Sequence, residues 1–170
     1  MKYHPIQIGD NKVRFALVQE GHRTLFVIGL NPSTADKSKS DRTMQATMRI
    51  AQYNGYDGFI MFNLYPLRAT NPKDLPKEFD KELHERNLAE IDILLQNLQN
   101  VDVWLAFGAY ANNRKYLLQC FKDIVKVFEQ HNAHWYYINE LTKSGFPPHP
   151  LYQKTSLFKQ FQFCFFHSNS

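Results

Sequence analysis

Cysteine is almost missing from this chain: Cys120 and Cys164 are the only two in 170 residues. Neither belongs to a Cys-x-x-Cys pair or a Cys/His cluster, so a zinc or iron–sulfur centre is not expected. Apolar runs approaching the ~20 residues that span a bilayer are also lacking, so no membrane partner is expected. The opening Met1-Lys2-Tyr3-His4-Pro5 carries no apolar secretory core, which makes the cytoplasm the expected location. Three chemical signatures are absent as well. Without Gly-x-Gly-x-x-Gly, Gly-x-x-x-x-Gly-Lys-Ser/Thr or Gly-x-Ser-x-Gly, the dinucleotide, P-loop and hydrolase-elbow readings lose their motifs, and no cofactor is expected. Repeats, low-complexity stretches and linkers are missing too, so residues 1–170 read as one domain, taken to be a monomer.

What is present is apolar and aromatic: 44% hydrophobic and 15% aromatic residues, with a formal net charge of +4. Ile6-Gln7-Ile8 and Val13-Arg14-Phe15-Ala16-Leu17-Val18 flank the turn formers Gly9-Asp10-Asn11 and read as a hairpin, an antiparallel appendage. Thr24 to Leu30 and Gly58 to Leu64 are too continuously apolar for half-exposed strands, and each runs into a proline, Pro32 or Pro66; both read as buried central strands. A helix expected from Asp41 separates them. A second over Asp80 to Gln99 precedes a strand over Val101 to Gly108. A third carries Leu117, Phe121, Ile124 and Phe128 on one stripe before the strand His134-Trp135-Tyr136-Tyr137-Ile138. The Phe-rich tail from Thr155 to Phe166 is expected to dock as a last helix. Alternation of this kind implies right-handed crossovers and a three-layer α/β sandwich with a parallel core sheet and an N-terminal β-hairpin.

In a parallel sheet, ligands collect beyond the carboxyl ends of the strands. That rule selects Asn31 to Thr34, Asn63 to Arg68, Gly108 to Ala111 and Gly145 to Tyr152. Asn31-Pro32-Ser33-Thr34 joins a fixed backbone to an amide and two hydroxyls, suited to holding water or phosphate, though it is equally the composition of a capped turn. Asn63 ends an apolar strand, so its amide must find partners, either neighbouring backbone or a ligand. His149 is held extended between Pro148 and Pro150, which suits an imidazole aimed at a substrate as well as a plain surface loop.

The segments Leu30-Asn31-Pro32-Ser33-Thr34-Ala35-Asp36, Asn63-Leu64-Tyr65-Pro66-Leu67-Arg68-Ala69-Thr70 and His149-Pro150-Leu151-Tyr152 resemble the signature of a bacterial and phage family of unknown function, across nearly the whole chain. More remotely, the three in this order resemble the motifs of the uracil-DNA glycosylase superfamily. That resemblance implies a nucleobase-processing enzyme that binds DNA and hydrolyses the N-glycosidic bond of a flipped base. It assigns Asn31 and His149 to catalysis, holding water beneath the sugar and steadying the departing base. Asn63, with Leu30 and Tyr65, would bind the base, while Ser33, Thr34, Arg42, Arg68 and Tyr152 would meet phosphate or DNA. Asn31 stands where the most active branch carries Asp, so a general base is lacking, and Leu151-Tyr152 replaces the usual Ser-Pro continuation. An enzyme acting on a free nucleotide or nucleoside, and a noncatalytic module binding damaged or modified DNA, are the alternatives.

Overall fold

The structure is a computed structural model that describes residues 5–33 and 42–163. Seven strands form one sheet: β1 Ile6–Gly9, β2 Arg14–Gln19, β3 Thr24–Gly29, β4 Gly58–Asn63, β5 Asp102–Leu105, β6 His134–Tyr137 and β7 Lys159–Gln160, in the order β1-β2-β4-β3-β5-β6-β7. The central four are parallel, with β3 paired to both β4 and β5 and β5 to β6. Their apolar, largely β-branched or aromatic sequences suit strands buried on both faces. Helices α1 Arg42–Tyr53, α2 Lys81–Leu95 and α3 Lys115–Glu129 follow β3, β4 and β5. Asp80 caps α2 by accepting from Leu83 N at 3.1 Å, satisfying one of the N–H groups a helix start leaves open.

The sheet separates two apolar layers. On one face α2 and α3 set Ile91, Leu95, Phe121 and Phe128 against Ile28, Phe62 and Leu105; on the other, α1 sets Met44, Ile50 and Ala51 against Val27, Phe59, Met61 and Trp104. Trp104 and Phe62 are fully buried, and truncating either to alanine should cost about 3–5 kcal/mol. Among the described residues no helix is long and apolar enough to cross a membrane.

Two expectations need correction. The hairpin is no appendage, because β2 pairs antiparallel with β4, Leu17 opposite Met61 and Gln19 opposite Phe59, and so extends the main sheet. The tail does not form a helix over its described part. Lys159–Gln160 instead pairs antiparallel with β6, where it covers an otherwise open strand edge, while Phe158 and Phe161 pack against Tyr136 and Tyr137. An aromatic-rich segment beside an edge strand gains both a ladder and ring contacts, which outweigh its helical propensity. The expected start of α1 at Asp41 lies outside the described residues.

Candidate functional site

β3 crosses to β4 on one side and, through β4 and α2, to β5 on the other, so the chain reverses its direction of travel across the sheet between β3 and β5. At that switch point the strand ends splay and leave a crevice. A cleft of about 440 Å³ occupies it, lined by Asn63 at the end of β4 and by Asn31, Gly108 and His149 from the loops after β3, β5 and β6. Leu30, Ser33, Pro150, Leu151 and Tyr152 line it too, together with Thr43 and Met44 at the start of α1.

Each loop is tied in place by backbone bonds. The β3–β4 ladder continues past both strands through Leu64 N to Gly29 O at 2.9 Å and Tyr65 N to Leu30 O at 3.1 Å, and Ala69 N then reaches Pro32 O at 3.0 Å. Asn31 closes the same seam, its Nδ2 donating to Ala69 O at 3.0 Å and to Pro32 O at 3.1 Å. With both amide hydrogens engaged, Oδ1 is the atom Asn31 offers, as an acceptor.

Asn63 is 2% exposed, and its Nδ2 has no hydrogen-bond partner. The residue's backbone is satisfied: Asn87 Nδ2 donates to Asn63 O at 3.0 Å. Its side chain lies so close to β3 that a methyl group at Gly29 would sit 2.8 Å from Oδ1, so glycine is needed there. A buried amide donor left open costs about 1–3 kcal/mol, an expense that a ligand can offset.

His149 reaches the cleft because glycine stands in the loop after β5. Gly108 has φ 74° and ψ −179°, a conformation that side chains resist, and a methyl group there would lie 3.1 Å from His149 Cβ. Gly108 N also donates to Pro147 O at 3.0 Å, fixing the loop. Leu151 N donates to His149 Nδ1 at 3.1 Å. A nitrogen that accepts must hold a lone pair, so in the neutral ring the proton sits on Nε2 and that atom is a donor.

Asn31, Asn63, His149, Leu30, Ser33 and Tyr152 thus share one cleft. Tyr65 does not line it. It is 1% exposed on the α2/α3 face, its ring centroid 5.1 Å from that of Tyr116, and burial raises its phenol above the ordinary range. The period-two geometry of an extended chain sends Asn63 and Tyr65 toward one face, but the strand has already ended between them. Arg68 stands behind the rim, with Nη1 3.5 Å from Ser33 O. Arg42 opens α1, exposed and off the cleft wall, and Thr34 lies outside the described residues. Tyr152 is 85% exposed on the rim, at φ 67°.

The residue missed from sequence is Arg14, only 6% exposed and part of the cleft wall. Its signal was a cation inside the apolar run Val13 to Val18. Among the described lining residues it is the one carrying a fixed charge, and none is a carboxylate. Among the described residues no group of three His, Cys, Asp or Glu could hold a metal ion. Cys120 is buried, and burial pushes its thiol up to about 12, which leaves it unsuited to nucleophilic work.

By fold and site this is a three-layer α/β protein with a largely apolar cleft, carrying a few polar groups, at the carboxyl edge of its parallel strands. More particularly, the chain belongs to the family described as Protein of unknown function (DUF1643), whose model matches residues 14–151. Comparison with curated proteins and with solved structures finds no match.

Proposed function

We propose that the cleft receives a single nucleobase and that the chain is a nucleobase-processing enzyme, hydrolysing the N-glycosidic bond of a damaged, mismatched or modified base flipped out of DNA. The observation that carries this reading is the open, buried amide of Asn63 in the same cleft as the His149 donor. A flat heterocycle with an acceptor on its edge would satisfy that amide, and a flipped base presents such an edge. The resemblance of the three loop motifs to the uracil-DNA glycosylase superfamily supports it further.

In the reaction, the C1′–N bond breaks and its electron pair leaves with the base. His149 Nε2–H donates to the oxygen on which that charge develops, and a donor so placed acts in the transition state more than in the ground state. Asn31 Oδ1 accepts from the water that adds to C1′; the proton lost by water passes to the base or to solvent. An amide orients water without deprotonating it, so catalysis rests on bond polarisation.

The test is single-turnover incubation of oligonucleotides containing uracil, mispaired thymine or modified pyrimidines, followed by cleavage of abasic sites. Strand loss is expected with at least one base, and His149→Ala should slow it roughly 100-fold or more while duplex binding survives. Asn31→Asp supplies a base but loses the two bonds to Pro32 O and Ala69 O, so a rise in hydrolysis should come with a lower thermal midpoint. If neither wild type nor Asn31→Asp releases any base while duplex affinity persists, the enzyme reading gives way to a binding module. A second reading, an enzyme acting on a free nucleotide, is favoured by the buried cation Arg14 in the cleft wall.

A further inference from the structure

The sheet is distorted at one place, and the distortion turns Arg14 into the cleft. β1 and β2 pair Ile8 with Ala16 and Gly9 with Arg14, so Phe15 is an extra residue with no partner across the ladder. A bulge of this kind shifts the alternation of side chains by one and re-aims the neighbouring residue. Phe15 and Ala16 consequently both pack with the α2/α3 layer, while Leu17 packs with the α1 layer. In a regular strand without the bulge Arg14 would share the α2/α3 side with Ala16; with the bulge, Arg14 joins Met44, Met61 and Asn63 on the cleft. Gly9, at φ 139°, makes this geometry: a methyl group there would lie 2.3 Å from Val13 O and 2.8 Å from Arg14 Cα. Arg14 N donates to Pro66 O at 2.9 Å, which anchors the residue beside the loop after Asn63.

We infer that Arg14 forms an oxyanion subsite of the cleft, which binds a phosphate carried by the same ligand whose base meets Asn63. The base half of this assignment rests on the proposed function; the anion half rests on Arg14 alone. A buried guanidinium is costly to desolvate unless its donors are engaged, and at the cleft wall they can be engaged by protein partners and by a ligand at once. A fold that bends its sheet to bring one to a ligand cleft is shaped for binding. A guanidinium carries five N–H donors in a planar fork, enough to serve protein partners and phosphate oxygens together. The dipole of α1, whose first turn contributes Thr43 and Met44 to the wall, acts in the same sense. The substrate class is therefore a nucleotide, as a free monophosphate or as one unit of a strand.

The test is calorimetric binding, at fixed ionic strength, of inorganic phosphate, a panel of nucleosides, their 5′-monophosphates and short oligonucleotides to wild type, Arg14→Met and Asn63→Leu. Wild type should bind at least one monophosphate about tenfold tighter than its nucleoside, the scale of one charge-assisted bond. Arg14→Met should abolish that preference and retain the nucleoside; Asn63→Leu should retain phosphate. Tighter binding of the monophosphate than of the oligonucleotide identifies a free nucleotide, and the reverse identifies a strand. If no nucleoside binds while phosphate binding depends on Arg14, the base reading fails and the anion subsite stands. Equal affinity for nucleosides and monophosphates, or phosphate binding unchanged in Arg14→Met, overturns the subsite. Should the methionine protein not fold, Arg14→Lys carries the same test: it keeps the charge, loses the fork and should show a reduced monophosphate preference.

Discussion

Where the parallel strands begin, Tyr56 Oη donates to Asp102 Oδ2 at 2.6 Å, Arg23 lies 4.5 Å over the Tyr56 ring, and Asp57 accepts from Arg23 N at 2.7 Å. Asn54 there donates from Nδ2 to Ile50 O and Ser156 O and accepts from Phe158 N. Where the same strands end, Asn63 Nδ2 has no partner, Asn31 presents an acceptor and a buried Arg14 lines an apolar wall. Both edges contain polar groups at strand termini. At one edge those groups are closed on each other and hold the fold together; at the other they face a cleft, and the stability that the Asn63 amide forgoes is available to a ligand.

The contrast is sharpest for Asn54, whose amide makes three bonds tying the C-terminal segment to the end of α1. Asn54→Ala should cost about 3 kcal/mol at ~1 kcal/mol per bond, measured by urea unfolding. A loss near zero would mean that the starting edge is no more closed than the cleft. Tyr56→Phe comes next, with about 2 kcal/mol expected for a bond to a carboxylate and no change in ligand binding.

The same phenol has a pH consequence. Burial first, and then the bond to Asp102, raise the Tyr56 phenol above its ordinary value of 10.0. The folded state therefore keeps a proton that the unfolded state releases. Its contribution is fully present below about pH 10 and is lost as pH rises toward the folded value. Alkaline denaturation curves should show this loss in wild type, and it should shrink in Tyr56→Phe.

Asn63→Leu should have the smallest effect on stability, within about 0.5 kcal/mol, since an open buried donor is exchanged for apolar volume. Base binding should nonetheless disappear. A thermal midpoint that falls by many degrees would show that Asn63 is a structural amide, and the two edges would then differ only in degree.

Much of this arrangement was legible before folding was considered. Apolar runs ended by Asn31-Pro32 and by Asn63, with Pro66 close behind, mark buried strands and their exits, and helical spacing marks α2 and α3. His149 between two prolines identifies a stiff loop at the right place in the order of elements. Tyr65 lies off the cleft because a residue two positions beyond Asn63 shares its face only while the strand continues, and the strand ends at Asn63. The place of Arg14 is not legible in the sequence because it depends on the extra residue Phe15, and a bulge is a property of two strands paired together, not of either alone. The tail's phenylalanines likewise carry no record of whether they will line a helix or lie along β6.

The sequence by itself determined the alternation of strands and helices, the parallel core and the edge at which polar loops collect, because these follow from local periodicity and from the handedness of crossovers. Only the tertiary structure decided which polar groups would be turned toward the cleft. That outcome depends on contacts between segments far apart in the chain: Gly29 making room for Asn63, Gly108 for His149, and Gly9 bending β2 so that Arg14 faces the cleft.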